Sequence, residues 1–146
     1  MRTAMSILSL AVLAFLAFAL WVRLAPSDAA RWHVDPAEAP DPPAPNFARA
    51  ERVIDAPLSE LRARLDAIAD AEGGKRLAED ARDGAMLVTY VARTRRMRYP
   101  DYVSIRLEEA GDGTTRLRAF SRSRFGQNDM GVNKARLKRW LSRLEA

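Results

Sequence analysis

The fold depends on residues Thr114–Leu144, TTRLRAFSRSRFGQNDMGVNKARLKRWLSRL. Within them, the spacing of apolar residues changes from that of a strand to that of a helix. Up to Phe125, apolar and charged residues alternate, which is typical of a strand with two different faces. After Gly126, apolar residues recur at helical spacing, which predicts an amphipathic C-terminal helix. The residues of that apolar stripe are Met130, Leu137, Trp140, Leu141 and Leu144. Asn128 or Asp129 is expected to cap the helix by accepting an N–H from its first turn.

The preceding residues predict the rest of a sheet and a second helix. Strands are expected at Arg49–Ala56, Ala85–Thr94, Tyr102–Glu109 and Thr114–Phe125, with a fifth candidate at Lys75–Asp83. The helix follows Pro57 and ends near Gly73-Gly74, and its apolar stripe is Leu58, Leu61, Leu65 and Ile68. Pro100-Asp101, Asp83-Gly84 and Gly111-Asp112-Gly113 are expected turns. This order predicts an α+β domain at residues 47–146, with an antiparallel sheet of four to five strands and two helices on one face.

An uncharged stretch of 20 residues lies between Arg2 and Arg23. As a helix it would be about 30 Å long, which is the thickness of the hydrocarbon layer of a membrane. We interpret residues 1–25 as a transmembrane signal anchor, and a cleaved signal peptide is the alternative. A short, positively charged head predicts a cytoplasmic N-terminus. The protein would then be a single-pass protein of the inner membrane, with its domain in the periplasm.

Six of the eight prolines lie in residues 26–46, between the anchor and the domain. Pro-rich segments are typically extended and semi-rigid, with about 3.1 Å per residue. The composition therefore predicts a linker that separates the domain from the membrane by as much as about 60 Å.

The residue types present exclude several kinds of active site. The single histidine, His33, lies in the linker and cysteine is absent, so a Ser–His or Cys–His pair within the domain is not expected. No Cys/His cluster suits zinc or iron, and we expect neither a metal nor another cofactor. Asp101 and Asp129 are the best placed carboxylates, but a turn residue and a helix cap explain them more simply.

The junction between the last strand and the last helix is a candidate anion site. Arg122 and Arg124 share a strand face, just before a helix N-terminus with unpaired N–H groups. The predicted ligand-binding residues are Arg122, Arg124, Asp129, Asn133 and Arg136. The alternative is a structural corner, in which both strand arginines pair with acids on neighbouring strands, such as Glu108. The net charge of +5 suits a polyanion, but an outward-facing domain would not meet nucleic acid.

The same junction resembles the bacterial family called "domain of unknown function 1499". The resemblance is carried by SRSRFGQNDMGVNKARLKRWLSRL, with RYPDYVSIRL before it and RWHVDP after the apolar stretch. The motif matches are Ser121, Arg122, Ser123, Arg124, Gly126, Asp129, Gly131, Asn133 and Arg136. The resemblance implies no activity. A looser likeness to helix-grip (START-like) domains implies a curved sheet and a long C-terminal helix.

These observations predict a domain of the cell envelope that binds an anionic small molecule, a lipid headgroup or a partner protein. The alternative function is a hydrolase-like envelope enzyme that uses Asp101 or Asp129 with arginine clamps.

Overall fold

The computed structural model describes residues 2–94 and 98–146. Its elements are α1 (Arg2–Leu24), α2 (Ala29–Trp32), β1 (Phe47–Ile54), α3 (Leu58–Ala71), β2 (Lys75–Arg82), β3 (Ala85–Arg93), β4 (Pro100–Gly111), β5 (Thr114–Ser123) and α4 (Val132–Leu144). The strands form one antiparallel sheet in the order β1-β5-β4-β3-β2. The predicted α+β fold class is confirmed, and the weaker strand candidate is the fifth strand.

Both long helices of the domain, α3 and α4, pack on the same face of the sheet, which we call the helix face. Alternation places most of the apolar residues of the three central strands on this face. The strand residues of the core include Val88, Tyr90, Val103, Ile105, Leu107 and Leu117, and the helices add Leu61, Leu65, Ile68, Leu137, Trp140 and Leu144. Trp140 is only 1% exposed and meets Tyr90 edge to face at a centroid distance of 5.7 Å.

Several predicted details are corrected by the structure. Pro100 and Asp101 do not form a turn but begin β4, because they pair with Arg93 and Ser123. The helical spacing predicts Met130 in the buried stripe of the last helix, but its side chain is 94% exposed. The reason is that α4 begins only at Val132, and Met130 precedes it with a φ of 52°.

Residues 28–41 lie along the other face of the sheet and form what we call the covering segment. The Trp32 ring stacks on Tyr102 at 4.1 Å, and His33 Nδ1 lies 2.9 Å from Thr89 Oγ1. Buried Asp35 pairs with Arg106. These residues therefore do not extend as a spacer, because an aromatic ring, an imidazole and a carboxylate each have a partner on the sheet.

Further contacts hold the later part of the covering segment. Arg49 of β1 donates to the carbonyl oxygen of Pro36 and to Asp41 Oδ1, both at 2.7 Å. The same guanidinium lies 3.9 Å from the centre of the Phe120 ring. Phe120 is consequently only 1% exposed, although its strand position places it opposite the helix face.

The outer strands of the sheet are β1 and β2. Charged side chains occur along both, and β2 has the sequence KRLAEDAR. Its pairing with β3 shifts between Arg76 and Ala78, so the edge is irregular as well as charged.

Helix α1 is long and apolar enough to cross a membrane by length and composition, over Met5–Leu24. A signal sequence near an N-terminus would satisfy the same criterion. Its final turns contact the domain, because Val22 is fully buried and Trp21 meets Phe125 at a centroid distance of 5.5 Å. We call this side of the domain the α1 end and the side with the turns at Asp83 and Asp112 the far end.

Candidate functional site

A buried ion pair lies at the centre of the predicted junction site. Arg136 Nη2 of α4 donates to Asp101 Oδ2 of β4 at 2.7 Å, and the two residues are 4% and 1% exposed. Burial raises the pKa of Asp101, and the guanidinium of Arg136 opposes that shift. The pair therefore joins the last helix to a central strand, away from solvent.

Asn133 connects this pair to the end of β5. Its Oδ1 atom accepts from Ser121 Oγ at 2.6 Å and from Arg136 Nη1 at 2.9 Å. Its Nδ2 atom lies 2.8–2.9 Å from the Asn46 carbonyl, Ser123 Oγ and Asp129 Oδ2. Asn133 is fully buried, so its side-chain amide makes its hydrogen bonds within the protein.

Asp129 organises the turn into α4. Its Oδ1 accepts the N–H of Gly131 at 3.0 Å, and its Oδ2 accepts the N–H of Asn133 at 2.8 Å. Asp129 thus bonds an N–H of the first turn, as predicted, although Gly131 occupies the position just before the helix in a left-handed conformation. The structure brings Asp129, Asn133 and Arg136 together, with their polar groups directed at one another and at backbone.

Arg122 and Arg124 lie on the opposite side of the sheet, as the alternation of β5 predicts. The Arg122 guanidinium lies between the rings of Trp32 and Phe120, at 5.3 and 4.8 Å from their centres. Its Nη2 donates to the Trp32 carbonyl at 2.8 Å, while buried Nη1 has no partner within the described residues. Burial, together with the charge of Arg49, lowers the pKa of Arg122 to about 10.

The expected pairing of the strand arginines with Glu108 is wrong. Glu108 pairs with Arg106 and Arg118 instead, because those residues neighbour it on the same face. Arg124 Nη1 donates to the carbonyl oxygen of Pro26 at 2.8 Å, so it holds the chain just after α1. Neither Arg122 nor Arg124 forms a salt bridge with any carboxylate in the described part of the chain.

His33 takes part in a chain of side chains that the sequence did not predict. Its Nε2 lies 3.3 Å from Asp80 Oδ1, its Nδ1 meets Thr89, and Thr89 Oγ1 lies 3.0 Å from Ser104 Oγ. The expectation that histidine lies apart from the folded core is therefore wrong. Thr89 and Ser104 are fully buried, so neither hydroxyl is open to a substrate and the arrangement is structural.

A basic groove at the α1 end was not predicted. It is lined by Ser27, Gly73, Lys75, Arg76, Leu77, Val91, Arg93 and Arg98. Arg76 pairs with Glu79 at 2.8 Å. Within residues 2–94 and 98–146, the other three cations, Lys75, Arg93 and Arg98, form no salt bridge. The sequence signal was the cationic run RTRRMR at 93–98, of which residues 95–97 lie outside the described residues.

The described residues contain no group of three or more His, Cys, Asp or Glu side chains suited to a metal ion. The two candidate catalytic carboxylates are already bonded within the protein, since Asp101 is buried against Arg136 and Asp129 accepts backbone N–H groups. The groove, in contrast, has open cationic groups, and guanidinium and ammonium groups bind phosphate and carboxylate oxygens.

A family model and two solved structures are similar to this chain. The model of a family described as "Protein of unknown function (DUF1499)" matches residues 23–144, which include the covering segment. Protein CV1439 from Chromobacterium violaceum, of known crystal structure, is 21% identical with a TM-score of 0.31, over 69% of this chain and 96% of that one. DynU16, from a dynemicin biosynthetic locus, is 15% identical with a TM-score of 0.32, over 73% of this chain and 46% of that one. No curated protein matches the chain.

Proposed function

The chain belongs to the DUF1499 family of proteins of unknown function, and we propose that it is a membrane-anchored binding domain for an anionic ligand. The observation that carries the proposal is the basic groove, where Lys75, Arg93 and Arg98 form no salt bridge with the carboxylates of the described chain. Like charges held together repel, and an anion between them relieves that repulsion. The ligand class is therefore phosphate or carboxylate.

The proposed location is the inner membrane, with α1 as a single uncleaved span and the domain in the periplasm. The apolar stretch Met5–Leu24 supports a membrane span, and Trp21 and Arg23 suit its outer boundary. We expect a C-terminal alkaline phosphatase fusion to be active and a C-terminal fusion to a reporter that works only in the cytoplasm to be inactive. The opposite pattern would place the domain in the cytoplasm and contradict the proposed location.

Anion binding is tested by thermal unfolding of the full chain in micelles of a neutral detergent. Phosphate at about ten times its Kd should stabilise the protein by about 1.4 kcal/mol relative to chloride of equal ionic strength. The double variant Arg93→Ala/Arg98→Ala should lose this difference, because two of the groove's cations are removed. The matched control Lys138→Ala/Arg143→Ala removes two exposed cations from α4 and should keep it. Equal phosphate effects in the two double variants would contradict the groove as the site.

The predicted residues Arg122, Arg124, Asp129, Asn133 and Arg136 form a second candidate site. A ligand there would have to replace existing contacts, such as the bond from Arg122 to the Trp32 carbonyl. The groove is favoured because, of its three cations without a salt bridge, only Arg93 has such a contact, from Nη1 to the Arg98 carbonyl oxygen at 3.0 Å, while Lys75 and Arg98 are exposed. The hydrolase-like alternative with Asp101 or Asp129 has less support, since both carboxylates are bonded within the protein.

A further inference from the structure

We infer that the basic groove binds the phosphate groups of anionic lipids, so that the α1 end of the domain is seated on the membrane surface. This inference rests on the proposed function and names its ligand. It follows from where the groove lies relative to α1, from the short connection between them, and from the distribution of charge and apolar groups over the two ends of the domain.

The groove lies at the level where α1 would leave the membrane. The apolar stretch of α1 ends at Leu24, and Trp21 precedes that residue by about one helical turn. Trp21 contacts Phe125, and the Phe125 ring lies 6.0 Å from the ring of Tyr99. Tryptophan and tyrosine are enriched at the headgroup level. Ser27, which follows α1 by three residues, lines the groove itself.

The connection between α1 and the domain allows the groove to move only a short distance from the membrane. Because Asp28 already caps α2 and the covering segment is docked on the sheet, only residues 25–27 separate the two. Three residues span about 10 Å at most. Arg124 also holds the Pro26 carbonyl oxygen, and Ser27 Oγ lies 2.9 Å from Tyr102 Oη. The groove is thus held within reach of lipid phosphates.

The two ends of the domain differ in charge. Lys75, Arg76, Arg93, Arg98 and Arg124 lie at the α1 end. The far end has exposed acids in its turns and strand ends, among them Asp83, Glu109 and Asp112, together with the exposed cations Arg82 and Arg116. Each cation near an anionic membrane strengthens association about fivefold. The α1 end also carries Met130, whose exposed apolar side chain (94%) suits insertion among headgroups.

Depth measurements on the full chain in lipid nanodiscs test the inference. The sequence contains no cysteine, so one introduced cysteine carries one fluorescent label. Gln127→Cys places the label at an exposed position of the α1 end, and Ala110→Cys places it at an exposed position of the far end. Quenchers attached to the lipids then report proximity to the bilayer, in discs of phosphatidylcholine alone or mixed with phosphatidylglycerol.

We expect strong quenching at Gln127→Cys in the anionic discs, a severalfold smaller effect in neutral discs or high salt, and little quenching at Ala110→Cys in either. Arg93→Glu/Arg98→Glu should reduce the signal at Gln127→Cys to the neutral-disc value. Lys138→Glu/Arg143→Glu, with the same charge change on α4, should leave it unaltered. Melting temperatures in neutral detergent verify that both double variants are folded.

The outcomes separate this inference from the proposed function. If quenching at Gln127→Cys is the same in neutral and anionic discs, or survives reversal of the two arginines, the lipid inference is wrong. If phosphate still stabilises the unaltered chain in detergent under those circumstances, the groove binds a soluble anion and the proposed function stands. If the unaltered chain shows neither the phosphate effect nor the lipid effect, both proposals are wrong.

Discussion

Replacing Arg136 by methionine is expected to lower the free energy of unfolding by about 3–5 kcal/mol. The substitution keeps much of the volume but leaves Asp101, which is 1% exposed, without its counter-charge. It also removes the donor at 2.9 Å from Asn133 Oδ1. Urea unfolding of the full chain in detergent, followed by near-ultraviolet circular dichroism, measures the loss.

Arg139→Met is the matched control, one turn further along α4. Arg139 is more than half exposed and pairs with Glu72 at 3.2 Å, so its loss should cost less than about 1 kcal/mol. The deficit of Arg136→Met should also shrink at acid pH. Burial raises the pKa of Asp101 above its unfolded value, so protonation removes the buried charge as pH falls through the folded pKa. Equal costs for the two variants would contradict a buried ion pair.

Trp32→Ala is expected to cost about 3 kcal/mol, at the lower end of the range for large aromatic side chains because Trp32 is half-buried. The ring stacks on Tyr102, which is fully buried beneath it, and covers one side of the Arg122 guanidinium. Its removal opens both to water. The same urea titration measures the effect, and Glu38→Ala, at an exposed position of the covering segment, should change stability by less than about 0.5 kcal/mol.

A double-mutant cycle with Arg122→Met tests whether Trp32 shields the Arg122 guanidinium from water. Arg122→Met alone should be close to neutral, within about 1 kcal/mol, because it removes a buried cation that has a carbonyl but no carboxylate as partner. In the Trp32→Ala background, Arg122 is already hydrated, so the two effects should not add. Strict additivity would show that Trp32 and Arg122 act independently, contrary to the observed packing.

The sheet and the long helices of the domain could be predicted because their signals are local. Alternation in β5 placed Arg122 and Arg124 on one face and Ser121 on the other, as the structure confirms. The covering segment could not be predicted, because its partners lie far along the chain. Trp32 contacts Tyr102, and Asp35 pairs with Arg106. Because neither partner is near in sequence, the proline content alone predicts an extended spacer.

The candidate site was predicted only in part for the same reason. Of the five predicted ligand-binding residues, Asp129, Asn133 and Arg136 form one cluster of side chains, whereas Arg122 and Arg124 lie on the other side of the sheet. The cluster's partner Asp101 comes from a different strand. The groove was missed because it joins Ser27, the start of β2 and the residues around Arg93, which no local pattern connects.

The charged outer strands have a consequence for how the protein behaves at high density. An exposed strand edge can recruit a strand from another molecule, and proteins prevent such aggregation with charges and irregular pairing. Five of the eight residues of β2 are charged and its register shifts after Arg76, while β1 carries Arg49, Glu51 and Arg52. Copies of the protein can therefore reach a high local density without their edge strands pairing.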